Sequence, residues 1–198
     1  YVLRRIDPEN RALWRQNSHR MEAEIIRDAT FYVSGQLDTT MYGADLDPAA
    51  GLTLARRSVY FRTSKEKKMT FLSTFDSANP VECYQRAESI SPQQSLAMSN
   101  SPLTLAQSRI LAGKLSEQVP ADPSEETAAL FIGLAFRHVL LREPTAEEKS
   151  ECLAFLKQQT ERFTTGSALT SFSGGTANPV KPSADALRRS RENLVHVL

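Results

Sequence analysis

Ser91-Pro92-Gln93-Gln94-Ser95-Leu96-Ala97-Met98-Ser99-Asn100, followed at once by Ser101-Pro102-Leu103-Thr104-Leu105-Ala106, decides the fold class of this chain. Ser91 and Gln94 form a capping box. The Ser oxygen accepts from the third helical N–H, Gln94 reaches back to the Ser N–H, and Pro92 fills a first-turn position whose own N–H would have no partner. Ser101-Pro102 restarts a helix, and Leu103, Ala106, Ile110, Leu111 and Leu115 then share one face. Towards the C terminus the same grammar repeats. Asp122-Pro123-Ser124-Glu125 caps a helix carrying Leu130, Phe131, Leu134, Ala135, His138 and Val139. Thr145-Ala146-Glu147-Glu148 caps another with Cys152, Phe155, Leu156 and Phe163 at helical spacing, and Ser183 caps a last one with Leu187, Leu194, Val195 and Leu198.

Towards the N terminus, Asp7-Pro8-Glu9-Asn10 predicts a long first helix through Leu13, Trp14, Met21, Ile25, Ala29 and Tyr32-Val33, stopped by Gly35. Arg20 and Glu24 are spaced to pair across one turn of it. Between lies a block, 36–90, rich in Gly, Asp and Pro. Its Ser58-Val59-Tyr60-Phe61 and Met69-Thr70-Phe71-Leu72 fit a short β-hairpin, or a strand followed by a helical turn, equally well. The expected fold is therefore mainly α, an irregular helical bundle of about six helices with a loop-rich centre. Residues 1–164 read as one helical domain, 165–182 as a flexible Gly/Ser/Thr/Pro linker, and 183–198 as the start of a C-terminal helix packing back on the domain.

Composition narrows the function classes. The 198 residues carry 24 Lys and Arg against 23 Asp and Glu, a net charge of +1, which disfavours a nucleic-acid partner. No apolar run has the length of a membrane span. The two cysteines, Cys83 and Cys152, stand in no Cys-x-x-Cys motif and allow one disulfide at most; Cys152 falls on the apolar side of its helix, where a buried thiol is expected. An opening on Tyr and a close in mid-helix suggest a domain cut from something longer.

The chemistry-bearing residues point to architecture more than to catalysis. His19, His138 and His196 lie in separate segments without ligand spacing, and there is no nucleophile elbow, Ser-x-x-Lys or phosphate loop. Ser91 and Ser101 read as N-caps. Glu125-Glu126 and Glu147-Glu148 complement the positive ends of their helices. Asp76 is different: with Arg56, Arg57 and Arg86 nearby, it predicts a buried carboxylate–guanidinium lock organising the central block, of the bidentate kind only arginine makes. The candidate binding residues are Arg56, Arg57, Asp76, Cys83, Arg86, Gln94 and Asn100, with no metal and no cofactor held by this chain.

These residues also carry a resemblance. Asn10-Arg11-Ala12-Leu13-Trp14-Arg15-Gln16-Asn17, Arg20 to Glu24, Arg27-Asp28 and Ser34 to Asp38 resemble the opening of the planctomycete-specific C-terminal domain of unknown function. Arg56-Arg57-Ser58-Val59-Tyr60, Phe75-Asp76, Cys83 with Arg86, Pro92 to Ala97 and Asn100 resemble its central pattern. Arg142-Glu143-Pro144-Thr145 with Glu147-Glu148 resembles its Leu-Gly-Arg-x-Pro-Thr-x-x-Glu segment, except that Leu141-Arg142-Glu143 lacks the glycine. The resemblance implies an exported multidomain protein with a second planctomycete domain upstream and often a cytochrome-c-type haem domain before that. It implies no reaction. The resulting expectation is a non-catalytic helical module working through protein or glycan contacts, in a periplasmic or cell-surface location. The alternative is an accessory domain of a haem-linked redox or hydrolytic enzyme, with a cleft lined by Arg56, Arg57, Asp76, Cys83 and Arg86.

Overall fold

The computed structural model describes residues 2–17, 19–82, 86, 88–166 and 178–198. Among them are eight helices and no strand: α1 Val2–Ile6, α2 Ala23–Val33, α3 Thr70–Thr74, α4 Pro92–Asn100, α5 Pro102–Ser116, α6 Glu125–Leu140, α7 Ala146–Thr165 and α8 Ala186–Val197. The fold is mainly α, an irregular helical bundle.

The helix starts after residue 90 follow their capping chemistry. The Ser91 N–H donates to Gln94 Oε1 at 3.4 Å, and Ser101 Oγ accepts the Leu103 N–H at 3.2 Å. Ser124 Oγ accepts from Thr127, and Thr145 and Glu148 complete the capping box of α7. The last helix begins later than its serine suggests. Asp185 is the N-cap, its carboxylate accepting the Arg188 N–H at 2.7 Å, while Ser183 Oγ accepts the Asp185 N–H one step earlier. A carboxylate is an equally good acceptor there and adds favourable charge at the helix start.

The expected long first helix is absent over residues 8–17. Asp7 does offer its carboxylate to the Arg11 and Ala12 N–H groups, at 2.9 and 2.8 Å, but the chain turns rather than coils. Asn10 and Leu13 sit at φ 59° and 51°. The buried Asn10 side chain ties the loop: Nδ2 donates to Arg15 O (2.7 Å) and Asn17 Oδ1 (2.8 Å), and Oδ1 accepts the Arg15 N–H (3.1 Å). Trp14 Nε1 closes it on Asp7 O at 2.9 Å. Short amide and carboxylate side chains compete with the helical ladder in this way. After this loop the next helix, α2, starts at Ala23 and ends before Gly35, which takes φ 67° as the stop requires.

Of the two readings of block 36–90, the β-hairpin does not form, and of the strand followed by a helical turn only the helical turn is present. Ser58–Tyr60 is a single 3₁₀ turn, and its neighbours make two isolated parallel bridges, Asp38 with Arg56 and Leu46 with Phe61. Met69 to Leu72 leads into the short α3. The apolar residues that looked like strand formers serve packing instead: Phe61, Met69, Phe71 and Leu72, with Phe75, join Ala23 and Phe31 of α2 and Leu103 of α5 in one core. A second core unites Leu111 and Leu115 of α5 with Phe131, Ile132 and Phe136 of α6, Leu156 of α7, and Leu194 and Val195 of α8. Helix α5 thus belongs to both cores, and α8 packs along α5 and α7. The end of α2 is fastened to α5 by Ser34 Oγ donating to Gln107 Oε1 (2.7 Å) and Lys114 Nζ donating to Ser34 O (2.8 Å). Of the expected linker 165–182, residues 167–177 lie outside the described residues.

Candidate functional site

The charged block is organised by Arg27. Ala23, Arg27 and Phe31 are four apart on α2 and form its buried face. The Arg27 side chain is 0% exposed. Its Nε donates to Gly51 O (2.6 Å), Nη1 to Arg56 O (2.9 Å) and Ser58 Oγ (3.2 Å), and Nη2 to Leu54 O. The rings of Phe31 and Phe61 lie 4.8 and 4.6 Å from the guanidinium carbon. Asp28 supplies the counter-charge at 3.2 Å and itself accepts from Ser58 N–H (2.8 Å) and O–H (2.6 Å). Burial lowers the Arg27 pKa, and the Asp28 carboxylate works against that shift. A planar fork with five donors suits this task, because one side chain can reach carbonyls at three places in a loop.

The lock expected between Asp76 and Arg56, Arg57 or Arg86 is built from other partners. Asp76 meets Arg20 at 3.1 Å, and the Arg20 guanidinium also donates to Ser89 O. The Asp76 carboxylate accepts the Ser89 N–H (2.8 Å) and hydroxyl (2.8 Å) and a longer contact from Gln94 Nε2 (3.4 Å). The Ser89 N–H first, then its hydroxyl and Arg20, hold the Asp76 pKa below the ordinary carboxylate value, against the opposing pull of burial. Arg86 instead pairs with Glu24 (2.7 Å) and lies 3.7 Å from Glu22. The expected Arg20–Glu24 pair is therefore exchanged: each residue takes a mate from the central block, because residue 20 lies outside the helix that would have aligned them.

The remaining candidates occupy separate places. Arg56 lies over the Tyr60 ring (4.2 Å), donates to Tyr42 O (2.6 Å) and stands 3.7 Å from Asp38. Arg57 is half-exposed, 3.9 Å from Asp28. Gln94 is buried and donates to Thr74 O (3.0 Å) and Ser89 O (3.2 Å), joining the end of α3 to the start of α4. Asn100 is exposed at the last residue of α4. Cys83 lies outside the described residues. Asp76 and Gln94 are brought together; Arg56 and Arg57 flank the Arg27 cluster; Arg86 and Asn100 stand apart. Sequence reasoning noted Arg27-Asp28 only as part of a pattern. The signal that would have found them is a charged residue in phase with Ala23 and Phe31, at the centre of an apolar stripe.

A different set of residues lines the open concave surface. A groove of about 440 Å³ runs between α2, the end of α4, α5 and the end of α8, walled by Met21, Ile26, Val33, Met98, Leu111 and Val139. His196 Nε2 spans its rim to Ser99 O at 2.9 Å.

An irregular α-helical bundle whose charged centre ties loops to helices defines the class. The chain belongs to the family described as PSD1, protein of unknown function (DUF1553), which matches residues 2–156. No curated protein and no solved structure matches the chain significantly. One family-like segment has a plain physical role here. Arg142 grips Glu148 through two contacts of 2.6 and 2.7 Å, while Glu148 also accepts the Thr145 N–H at 2.8 Å. Those contacts bring the Glu148 pKa down to about 2, Arg142 acting first and Thr145 second. Arg142-x-Pro144-Thr145-x-x-Glu148 is thus a clamp for the α6–α7 turn.

Proposed function

We propose that this chain is a non-catalytic interaction module of a larger exported multidomain protein, and that its groove between α2, α5 and α8 receives a protein segment. One observation supports this most. The side chains of Arg27, Asp76 and Arg86 are engaged with opposite charges and with backbone groups, whereas the groove is concave, apolar and open to solvent. Its size matches that of ordinary binding pockets. The reading favours a protein over a glycan, because the described lining residues of the groove include no Trp, Tyr or Phe ring on which a sugar could stack.

The same reading carries the family context with it: a planctomycete protein, a location outside the cytoplasm, and upstream domains of the same polypeptide as the first partners, one of them holding haem. Family membership and the resemblance of the sequence pattern support this context. An absorption spectrum of the longer protein tests the haem.

Two methionines make the groove itself testable. Met21 and Met98 are 50% and 39% exposed in the groove, while Met41 is 59% exposed outside it. In oxidative footprinting, Met21 and Met98 should react several-fold more slowly in the longer protein than in the isolated chain, with Met41 unchanged. Equal rates in the two forms would refute the groove as the contact surface.

A further inference from the structure

A second cavity, of about 430 Å³, opens between α5 and the segment entering α8, and it shares no lining residue with the apolar groove. Its wall carries Arg109, Lys114, Lys181 and Arg188 against two carboxylates, Glu117 and Glu192. We infer that this cavity is a binding site for a small oxyanion, a phosphate or carboxylate group, gripped by Arg188 and Lys181. The chain as a whole has a net charge of only +1, so four cations around one concavity are a local concentration and no consequence of overall composition.

The two carboxylates balance only half of these charges. Glu192 is buried, with both oxygens engaged by the Ser183 N–H, at 3.2 and 3.1 Å, and Arg189 at 4.0 Å. Arg109 donates one N–H to Val180 O, which fixes the wall and leaves the rest of its fork free of described partners. Lys114 is tethered to Ser34 O and Gly35 O. Among the described residues, neither the Lys181 nor the Arg188 side chain has an ion-pair or hydrogen-bond partner; the Arg188 main-chain N–H alone is engaged, by Asp185. Arg109 also faces Arg189, whose pKa is lowered by burial first and by that like charge second. An anion in the cavity would relieve this repulsion.

Gly113 shapes the floor. A Cβ there would come within 2.8 Å of Arg188 Nη2, so the guanidinium lies against bare helix backbone. The fork geometry of arginine matches the paired oxygens of phosphates and carboxylates, and the volume accommodates a small polyanion.

The test is isothermal titration of the purified chain at low salt with inorganic phosphate, pyrophosphate and citrate. Saturable binding of any of them is expected, with the phosphate and carboxylate arms deciding which chemistry the cavity prefers. Arg188→Gln and Lys181→Gln, both at exposed positions, should each weaken it at least tenfold. Gly113→Ala, which displaces the Arg188 head, should weaken it while leaving the melting temperature unchanged or higher. Absence of saturable binding, or binding indifferent to Arg188→Gln and Lys181→Gln, overturns the inference.

Discussion

At the scale of single residues, Arg27 carries the most consequence. Its guanidinium satisfies carbonyls of Gly51, Leu54 and Arg56 at once, the Gly51 contact fully buried and the other two partly so. Arg27→Ala should cost about 3–5 kcal/mol, the usual penalty for removing one member of a buried charged set. Arg27→Lys should recover less than half of that, since a single ammonium cannot span three carbonyls; urea denaturation of the two variants measures both. Leu141 makes the opposite case. It ends α6 at φ 54° while 88% exposed, so it pays left-handed strain and buries almost nothing. Leu141→Gly, restoring the residue of the family-like pattern, should stabilise by about 1 kcal/mol and raise the melting temperature by about 2–4 °C. A lower melting temperature would show that the leucine makes contacts its exposure conceals.

Elements are joined here by small polar clusters at their ends. Asp76, itself at φ 60° just past α3, is one such joint, meeting Ser89 and, in the first turn of α4, Gln94. Because its folded pKa lies below the ordinary 3.8, the ionised carboxylate stabilises the fold fully above about pH 4. That stabilisation is lost as pH falls through the lowered folded value. Asp76→Asn keeps tolerance of the left-handed backbone but removes the charge. It should be about 1 kcal/mol less stable than the parent chain at pH 7, a hydrogen-bond-sized loss, with the gap narrowing below pH 4. Denaturant titrations at pH 7 and pH 3 check this, and a gap constant with pH would assign the effect to shape alone. Arg20 beside Asp76 can turn to water, so the larger loss expected for a fully buried lock does not apply.

For the molecule as a whole, the question is which segments the core needs. The family match ends at residue 156, yet α8 lies beyond it and buries Leu194 and Val195 in the core of α5, α6 and α7. Removing residues 178–198 should forfeit about 4 kcal/mol from those two side chains alone, at about 2 kcal/mol each. It should also uncover an apolar face. The expected result is a broadened thermal transition with strong binding of a hydrophobic dye. A sharp, unshifted transition would mean that α8 is dispensable.

The helices from Pro92 onward were legible because their starts are local events. Ser101, Ser124 and Thr145 each cap N–H groups two or three residues away, and apolar positions recur with the helical period. The loop at Asn10, the 3₁₀ turn at Ser58–Tyr60 and the partners of Asp76 were not legible in that way. An asparagine able to cap a helix can also knot a loop, and aromatic residues that suit a strand also suit a core. The outcome depended on what stood opposite. Phe61 and Phe71 became core because α2 presents Ala23 and Phe31 to them, and Asp76 took Arg20 because the segment before α2 uncoils. Sequence alone thus determined the helical class, the caps of α4 to α7 and the residue types of the charged block. Tertiary structure decided which charges meet, since a pairing between residues 56 positions apart follows from how the chain folds and from no periodicity within it.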